Sequence, residues 1–355
     1  MPGEEGRAVS RVYLDNNATM PLRPEARDAM IAALDVAGNP SSVHAEGRAA
    51  KALVEKARAQ VAAAFGAEGA DIVFTSSATE AAALALAGRG LHAGAIEHDA
   101  VAAWVECDLA VDAAGRVAIG DPAQSCVQIA NSETGVVQDL PPGLAVSDMT
   151  QGFGKLPMAF NWSGADMAIV SAHKLGGPKG VGALVLRRGL ELDARIRGGG
   201  QEMGRRAGTE NVIGIAGFGA AAEAAARDLA DGVWKNVENL RDRLETCIAA
   251  GSKETIFVGK GESRLPNTSC LVTPGWKGET QVMQMDLAGF AVSAGAACSS
   301  GKVGTSRVLQ AIGLSDVAAA SALRVSLGPG TTAEQIDRFA DAWLARHQKF
   351  RARAA

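Results

Sequence analysis

This chain has no excess of positive charge, no long apolar run and no paired-cysteine pattern, and each absence removes a class of function. With 35 Lys and Arg against 39 Asp and Glu, the net charge is −4, so no global basic field exists to attract nucleic acid. No apolar run approaches the roughly 18 residues that a membrane span requires. The first residues, Met1-Pro2-Gly3-Glu4-Glu5, lack the apolar core of a secretory leader. Membrane insertion and secretion are therefore not expected, and the cytoplasm is the default compartment. The five cysteines (Cys107, Cys126, Cys247, Cys270 and Cys298) are odd in number and lack CxxC spacing or paired histidines. Neither a disulfide framework nor a metal site is expected. Internal repeats and low-complexity tracts are absent apart from abundant alanine. What remains is a chain of 355 residues, 47% hydrophobic and 21% charged. That suits a soluble globular protein, long enough for two domains or for one large and one small.

The most informative stretch is Ser171-Ala172-His173-Lys174, which ends an apolar run and precedes Gly176-Gly177-Pro178-Lys179-Gly180. A lysine at the mouth of a buried strand loses solvation, which disfavours its ammonium form and yields a nucleophilic amine near neutral pH. The glycines after it let backbone approach a bulky ligand. Upstream, the apolar run 144–146 leads into Ser147-Asp148-Met149-Thr150-Gln151. A carboxylate facing a pyridinium nitrogen and a lysine holding an aldehyde as a Schiff base are the partners that pyridoxal 5′-phosphate (PLP) requires. Each motif alone is weak. In this order and combination they point to PLP.

Periodicity predicts an amphipathic helix over 46–65, a strand over 71–75, and a helix opening at Ser76-Ser77-Ala78-Thr79-Glu80 and running to about 87. Further strands are predicted over 126–130, 144–147, 167–171 and 181–186. Alternating strands and helices imply a mostly parallel central sheet with helices on both faces, whose ligands bind at the carboxyl ends of the strands. A helix over 234–250 leads to a smaller C-terminal α+β unit with strands over 255–258 and 269–272. The last helix is expected to start at a capping box, Thr331-x-x-Glu334, and to run to about 347, with the basic tail 346–353 as a solvated helix end.

Eight further blocks, which with the two motifs above make ten in order, give the chain a resemblance over about residues 12–340 to cysteine desulfurases of the NifS/IscS type. They include Tyr13-Leu14-Asp15-Asn16-Asn17-Ala18-Thr19, Gly38-Asn39-Pro40-Ser41-Ser42, Ala78-Thr79-Glu80, Glu97-His98-Asp99-Ala100-Val101 and Asn131-Ser132-Glu133-Thr134-Gly135. Arg206-Ala207-Gly208-Thr209, Ala297-Cys298-Ser299 and Leu323-Arg324-Val325-Ser326-Leu327-Gly328 follow. The resemblance implies the aspartate-aminotransferase-like fold (PLP fold type I). It also implies a large PLP-binding domain over 13–235 and a small domain formed by 1–12 and 236–355.

The resemblance also implies roles. Lys174 would carry PLP and take the substrate Cα proton. Asp148 would pair with the pyridinium nitrogen, Gln151 would donate to the ring oxygen, and His98 would stack on the ring as a general acid/base. Ala78 and Thr79 would hold the phosphate at a helix N-terminus, joined by Ser171 and His173. Thr209 would reach the phosphate of a neighbouring subunit, which makes the protein a homodimer. Arg324 would bind the substrate carboxylate as a bidentate fork, with Asn131 and Asn16 nearby. Cys298 would receive sulfur from L-cysteine as a persulfide and pass it to an acceptor or scaffold protein, as in iron–sulfur cluster assembly. Its surroundings, Ser293-Ala294-Gly295-Ala296-Ala297-Cys298-Ser299-Ser300-Gly301, are all small residues, a composition expected to pack poorly and move easily.

Two departures from the family pattern stand out. Ser132 occupies a position where the family usually has asparagine, and the span from His98 to Lys174 is short, as if a helix and its loops were lost. Selenocysteine lyase, or another β-eliminating enzyme, is the alternative within the same fold. A weakly active paralogue that mainly binds a sulfur-transfer scaffold is the alternative of another class.

Overall fold

The computed structural model describes residues 11–295 and 305–354. Its larger sheet orders the strands Asp71–Thr75, Gly182–Leu186, Met167–Ser171 and Ser147–Asp148. Parallel pairing continues through the bridges Cys126↔Val146 and His92↔Ser125 to the strands His92–Gly94 and Glu106–Leu109. Met167–Ser171 and Gly182–Leu186 are buried at every position, as a strand covered on both faces must be. One face packs Val54, Val61, Ile72, Phe74, Val170 and Phe218 beneath the helices Ala45–Ala64 and Val212–Ala230. The other packs Val73, Leu84, Ile169 and Leu184 beneath Ala78–Leu86.

Gly182–Leu186 runs antiparallel to both neighbours. The link from Ser171 to Gly182 is too short for a crossover helix, and a parallel return needs about a dozen residues or more. Because this one strand is reversed between two others, Asp71–Thr75, Met167–Ser171 and Ser147–Asp148 all end at the same edge of the sheet. Gly182 also lets the helix Ala78–Leu86 come close. A Cβ there would lie 2.6 Å from the Ser77 carbonyl carbon and 2.9 Å from the Ala78 nitrogen.

A second, antiparallel sheet orders Ser293–Ala294, Ala322–Ser326, Thr268–Val272 and Ile256–Phe257. The helices Val233–Gly251 and Ala333–Ala354 cover it, with Trp276, Phe339 and Trp343 in its core. Segment 12–20 joins the two sheets. Val12–Tyr13 pairs with Phe290–Ala291, the Asn16 N–H donates to Ser326 O at 3.0 Å, and the Met20 N–H donates to His173 O at 2.9 Å.

The mixed α/β fold agrees with expectation, and the strands 71–75 and 167–171 fall where predicted. Other details differ. Residues 126–130 form bridges at Cys126 and Ala130 and no continuous strand, although the Cys126, Val127 and Ile129 N–H groups donate to His92 O, Val146 O and Asp148 O. The last helix continues to Ala354, with Arg346 bonding Gln284 O and Arg351 bonding Glu254. Its capping box lies one residue later than predicted: Thr332 Oγ1 accepts the Gln335 N–H and Gln335 Oε1 accepts the Thr332 N–H, at 3.3 and 3.1 Å. Thr331 Oγ1 instead accepts the Gly328 N–H. Between Ala102 and Ser147 the structure has no α-helix, in keeping with the short span noted in the sequence.

Gly182→Ala should lower stability by about 1–3 kcal/mol, because two backbone groups must move aside. Gly120→Ala, where an added Cβ meets nothing within 4 Å, should leave stability nearly unchanged. Urea unfolding of both variants checks this, and equal loss in the two would remove the close approach as the cause.

Candidate active site

At the shared strand edge lies a cavity of about 210 Å³. Its wall brings together Ala78, Thr79, His98, Asp148, Gln151, Ser171, His173 and Lys174, which came from separate sequence motifs. Lys174 closes a short 3₁₀ turn after Met167–Ser171. Its Nζ donates to Asn17 O at 2.7 Å and Ala18 O at 2.9 Å. Asp148 ends its strand, and its Oδ1 accepts the Thr150 N–H at 2.9 Å. His98 Nδ1 accepts the Ala100 N–H at 3.1 Å, so a neutral His98 ring carries its proton on Nε2.

The helix Ala78–Leu86 begins on this wall. Ser77 caps it by accepting the Glu80 N–H, and the first amides and the helix dipole together favour an anion. His173 is neutral at pH 7. Burial, followed by the charges of Lys174, Lys179 and Lys155, pushes its pKa down to about 4. Its Nδ1 and the Thr150 hydroxyl are buried without partners among the described residues. A nucleophilic amine, a carboxylate, a helix N-terminus and two unspent polar atoms in one cavity fit PLP. Lys174 suits its aldehyde, Asp148 its pyridine nitrogen, and the helix start its phosphate.

Other expected residues lie elsewhere. Asn131 is absent from the cavity wall. Its Oδ1 accepts the Glu133 and Thr134 N–H groups and its Nδ2 donates to Ile96 O, so its side chain is used in closing a turn. Ser132 reaches the wall instead. Asn16 donates to Ser326 O and borders a different depression. Arg324 is fully buried, paired with Asp15 at 2.8 Å and bonded to Ser132 O at 3.2 Å, while its Nε has no partner among the described residues. Thr209 lines a separate hollow with Arg206, and Arg206 pairs with Glu80 at 2.8 Å. Cys298 lies outside the described residues.

Sequence reasoning gave no role to Asn17, Gln128, Thr150 or Lys155. Asn17 stood within a quoted motif, but its contribution here is a backbone carbonyl, which side-chain identity does not reveal. Lys155 follows Gln151 by four positions, and that spacing was the available signal.

A family model described as aminotransferase class-V matches residues 12–108 and 122–339, leaving out part of the shortened span. A cysteine desulfurase from Cereibacter sphaeroides is 41% identical over 93% of this chain and 94% of its own length. A solved NifS-like protein from Rickettsia africae ESF-5 superposes with a TM-score of 0.85 at 30% identity, covering 95% of this chain and 99% of that one. Another solved structure, SspA in complex with cysteine, gives 0.74 at 27% identity over 90% of this chain and 100% of its own.

Glu133, beside the site, accepts a 2.5 Å hydrogen bond from Ser306 Oγ. Burial raises its pKa from 4.5 to about 7, against the opposing pull of Ser306, Arg324 and Arg307. The protonated side chain therefore favours the fold fully below pH 4.5, and that contribution is lost as pH rises through about 7. Glu133→Gln keeps an acceptor for Ser306 and cannot ionise. Its stability relative to wild type should rise by about 2 kcal/mol between pH 5 and pH 8. Denaturant unfolding at both pH values measures this, and a pH-independent difference would contradict the buried neutral carboxyl.

Proposed function

This chain belongs to the class-V aminotransferase family, and from that premise we propose that it is a PLP-dependent cysteine desulfurase that removes sulfur from L-cysteine and leaves L-alanine. The observation that carries the reading is the convergence of Lys174, Asp148, His98 and the Ala78 helix start on one cavity. PLP, when bound, supplies an electron sink that labilises bonds at the substrate Cα and Cβ.

The chain's own groups account for the rest. Lys174 Nζ, which donates to the Asn17 and Ala18 carbonyls, would hold the cofactor through its aldehyde and would receive the substrate Cα proton. Asp148, oriented by the Thr150 N–H, would pair with the pyridine nitrogen and keep it protonated. His98, with its proton on Nε2, serves as the acid/base on the ring side. Arg324 retains one buried N–H without a partner, which suits a substrate carboxylate; Asp15 already neutralises part of its charge.

A thiolate at Cys298 attacks the substrate sulfur. The S–S bond forms, the Cβ–S bond breaks, and the bonding pair stays on carbon, where a proton completes alanine. No external oxidant is needed. The persulfide then passes to an acceptor thiol, as in iron–sulfur cluster assembly. A cytoplasmic setting, where thiols stay reduced, suits such a carrier. The separation of Thr209 from the Lys174 cavity favours a homodimer in which each chain completes the other's phosphate site; a fully active monomer would contradict it. The desulfurase relatives favour this activity over selenocysteine lyase and over a scaffold-binding paralogue.

Borohydride reduction of the PLP-loaded protein should fix one pyridoxyl group on Lys174, found by peptide mass spectrometry, and Lys174→Ala should abolish the adduct. A pyridoxyl group on another lysine in the wild type would overturn the site.

A further inference from the structure

Lys155 is 1% exposed, and no carboxylate lies within ion-pair distance among the described residues. Burial, followed by the charges of its neighbours Lys174 and Arg324, holds its pKa well below the usual lysine range. A buried amine in such company costs stability unless its hydrogen bonds serve a purpose. Its close contact is with Gln151: Lys155 Nζ donates to Gln151 Oε1 at 2.6 Å, with Asn17 Oδ1 more distant at 3.5 Å. Asn17 Oδ1 already accepts from Asn267 Nδ2 at 3.0 Å.

Gln151 is itself 6% exposed and lines the cavity. An amide has one acceptor end and one donor end. With Oε1 turned to Lys155, Nε2 must occupy the other side. There it donates to Asn17 O at 3.0 Å, the same carbonyl that accepts Lys174 Nζ at 2.7 Å. That carbonyl alone is a poor guide to the amide, because Lys174 shares it and leaves it when its nitrogen bonds elsewhere. Lys155 contacts the other end of the amide.

We propose that Lys155 is a positioning residue: it fixes the Gln151 amide so that its N–H edge, and not its carbonyl, faces the ring oxygen of the bound cofactor. This rests on the PLP reading above. An ammonium or a neutral amine serves equally, since either can donate. Acting through a donor at the ring oxygen, Lys155 stabilises the anionic oxygen and so lowers the pH at which the cofactor-bound Lys174 nitrogen loses its proton.

The test is a pH titration of the visible absorbance of the PLP-loaded full-length protein. Lys155→Met removes the donor and keeps the volume, and the transition should rise by about one pH unit, the size expected for one lost hydrogen bond to a charged oxygen. Lys155→Gln restores a neutral donor of nearly the same reach and should return the transition towards wild type. In a Gln151→Ala background the transition should already be raised, and adding Lys155→Met should shift it no further.

A wild-type transition in Lys155→Met would overturn the assignment. So would an undiminished shift in the Gln151→Ala background, or Lys155→Gln behaving like Lys155→Met; either would mean that Lys155 acts through its charge on Lys174. If Lys155→Met does not fold, Lys155→Leu carries the same comparison. If neither folds while Lys155→Gln does, Lys155 is structural and the proposal fails. Absence of any visible band in wild type is the separate outcome that removes the PLP reading itself, and this inference with it.

Discussion

The site is organised around one backbone carbonyl. Asn17 O accepts both Lys174 Nζ and Gln151 Nε2, and the segment that carries it runs between the two sheets. That carbonyl lies where it does because Leu14 and Asn16 are bonded to the second sheet while Met20 is bonded to His173. Asn17 itself is tied on both sides of its amide, donating to Thr268 Oγ1 and Ser132 O and accepting from Asn267. The Lys174 amine thus donates to two backbone carbonyls in a partly buried place.

The large sheet supplies the opposite wall by geometry. One reversed strand, Gly182–Leu186, keeps Asp71–Thr75 in the same sense as Met167–Ser171. The anion-favouring start of Ala78–Leu86 therefore emerges at the same edge as Lys174 and Asp148. Gly182 allows that helix start to approach within the reach of a single missing methyl. The charges about the cavity divide in the same way, with cations near the lysine turn and Asp148 across from them, which is the polarity an anionic phosphate and a protonated ring nitrogen require.

Much of this was legible in the sequence where local chemistry and periodicity agree. The strand 71–75 and the strand 167–171 are short apolar runs ending in polar residues, and both were placed to the residue. Lys174 and Asp148 were legible because a lysine and a carboxylate that each end an apolar run form, together, the pair that PLP requires, whereas the role of His98 came only from the resemblance. What stayed hidden depends on contacts distant in sequence. Asn131 looked like a ligand-binding side chain, yet its carbonyl oxygen caps the turn that follows it. Arg324 was expected to meet a substrate carboxylate, and its partner Asp15, more than 300 residues away in the chain, was not foreseen. The end of the last helix was misjudged because its basic residues find partners on the second unit, which no local pattern announces.

The central claim is that sulfur leaves L-cysteine by attack from this chain's own thiol, with alanine as the carbon product. A single turnover with L-cysteine and no added reductant tests it most directly, with alanine quantified and the protein mapped by peptide mass spectrometry. The account predicts one alanine for each extra sulfur atom found on the chain, with that sulfur on Cys298. Pyruvate and free sulfide in place of alanine, or the extra sulfur on Cys107, Cys126, Cys247 or Cys270, would contradict it.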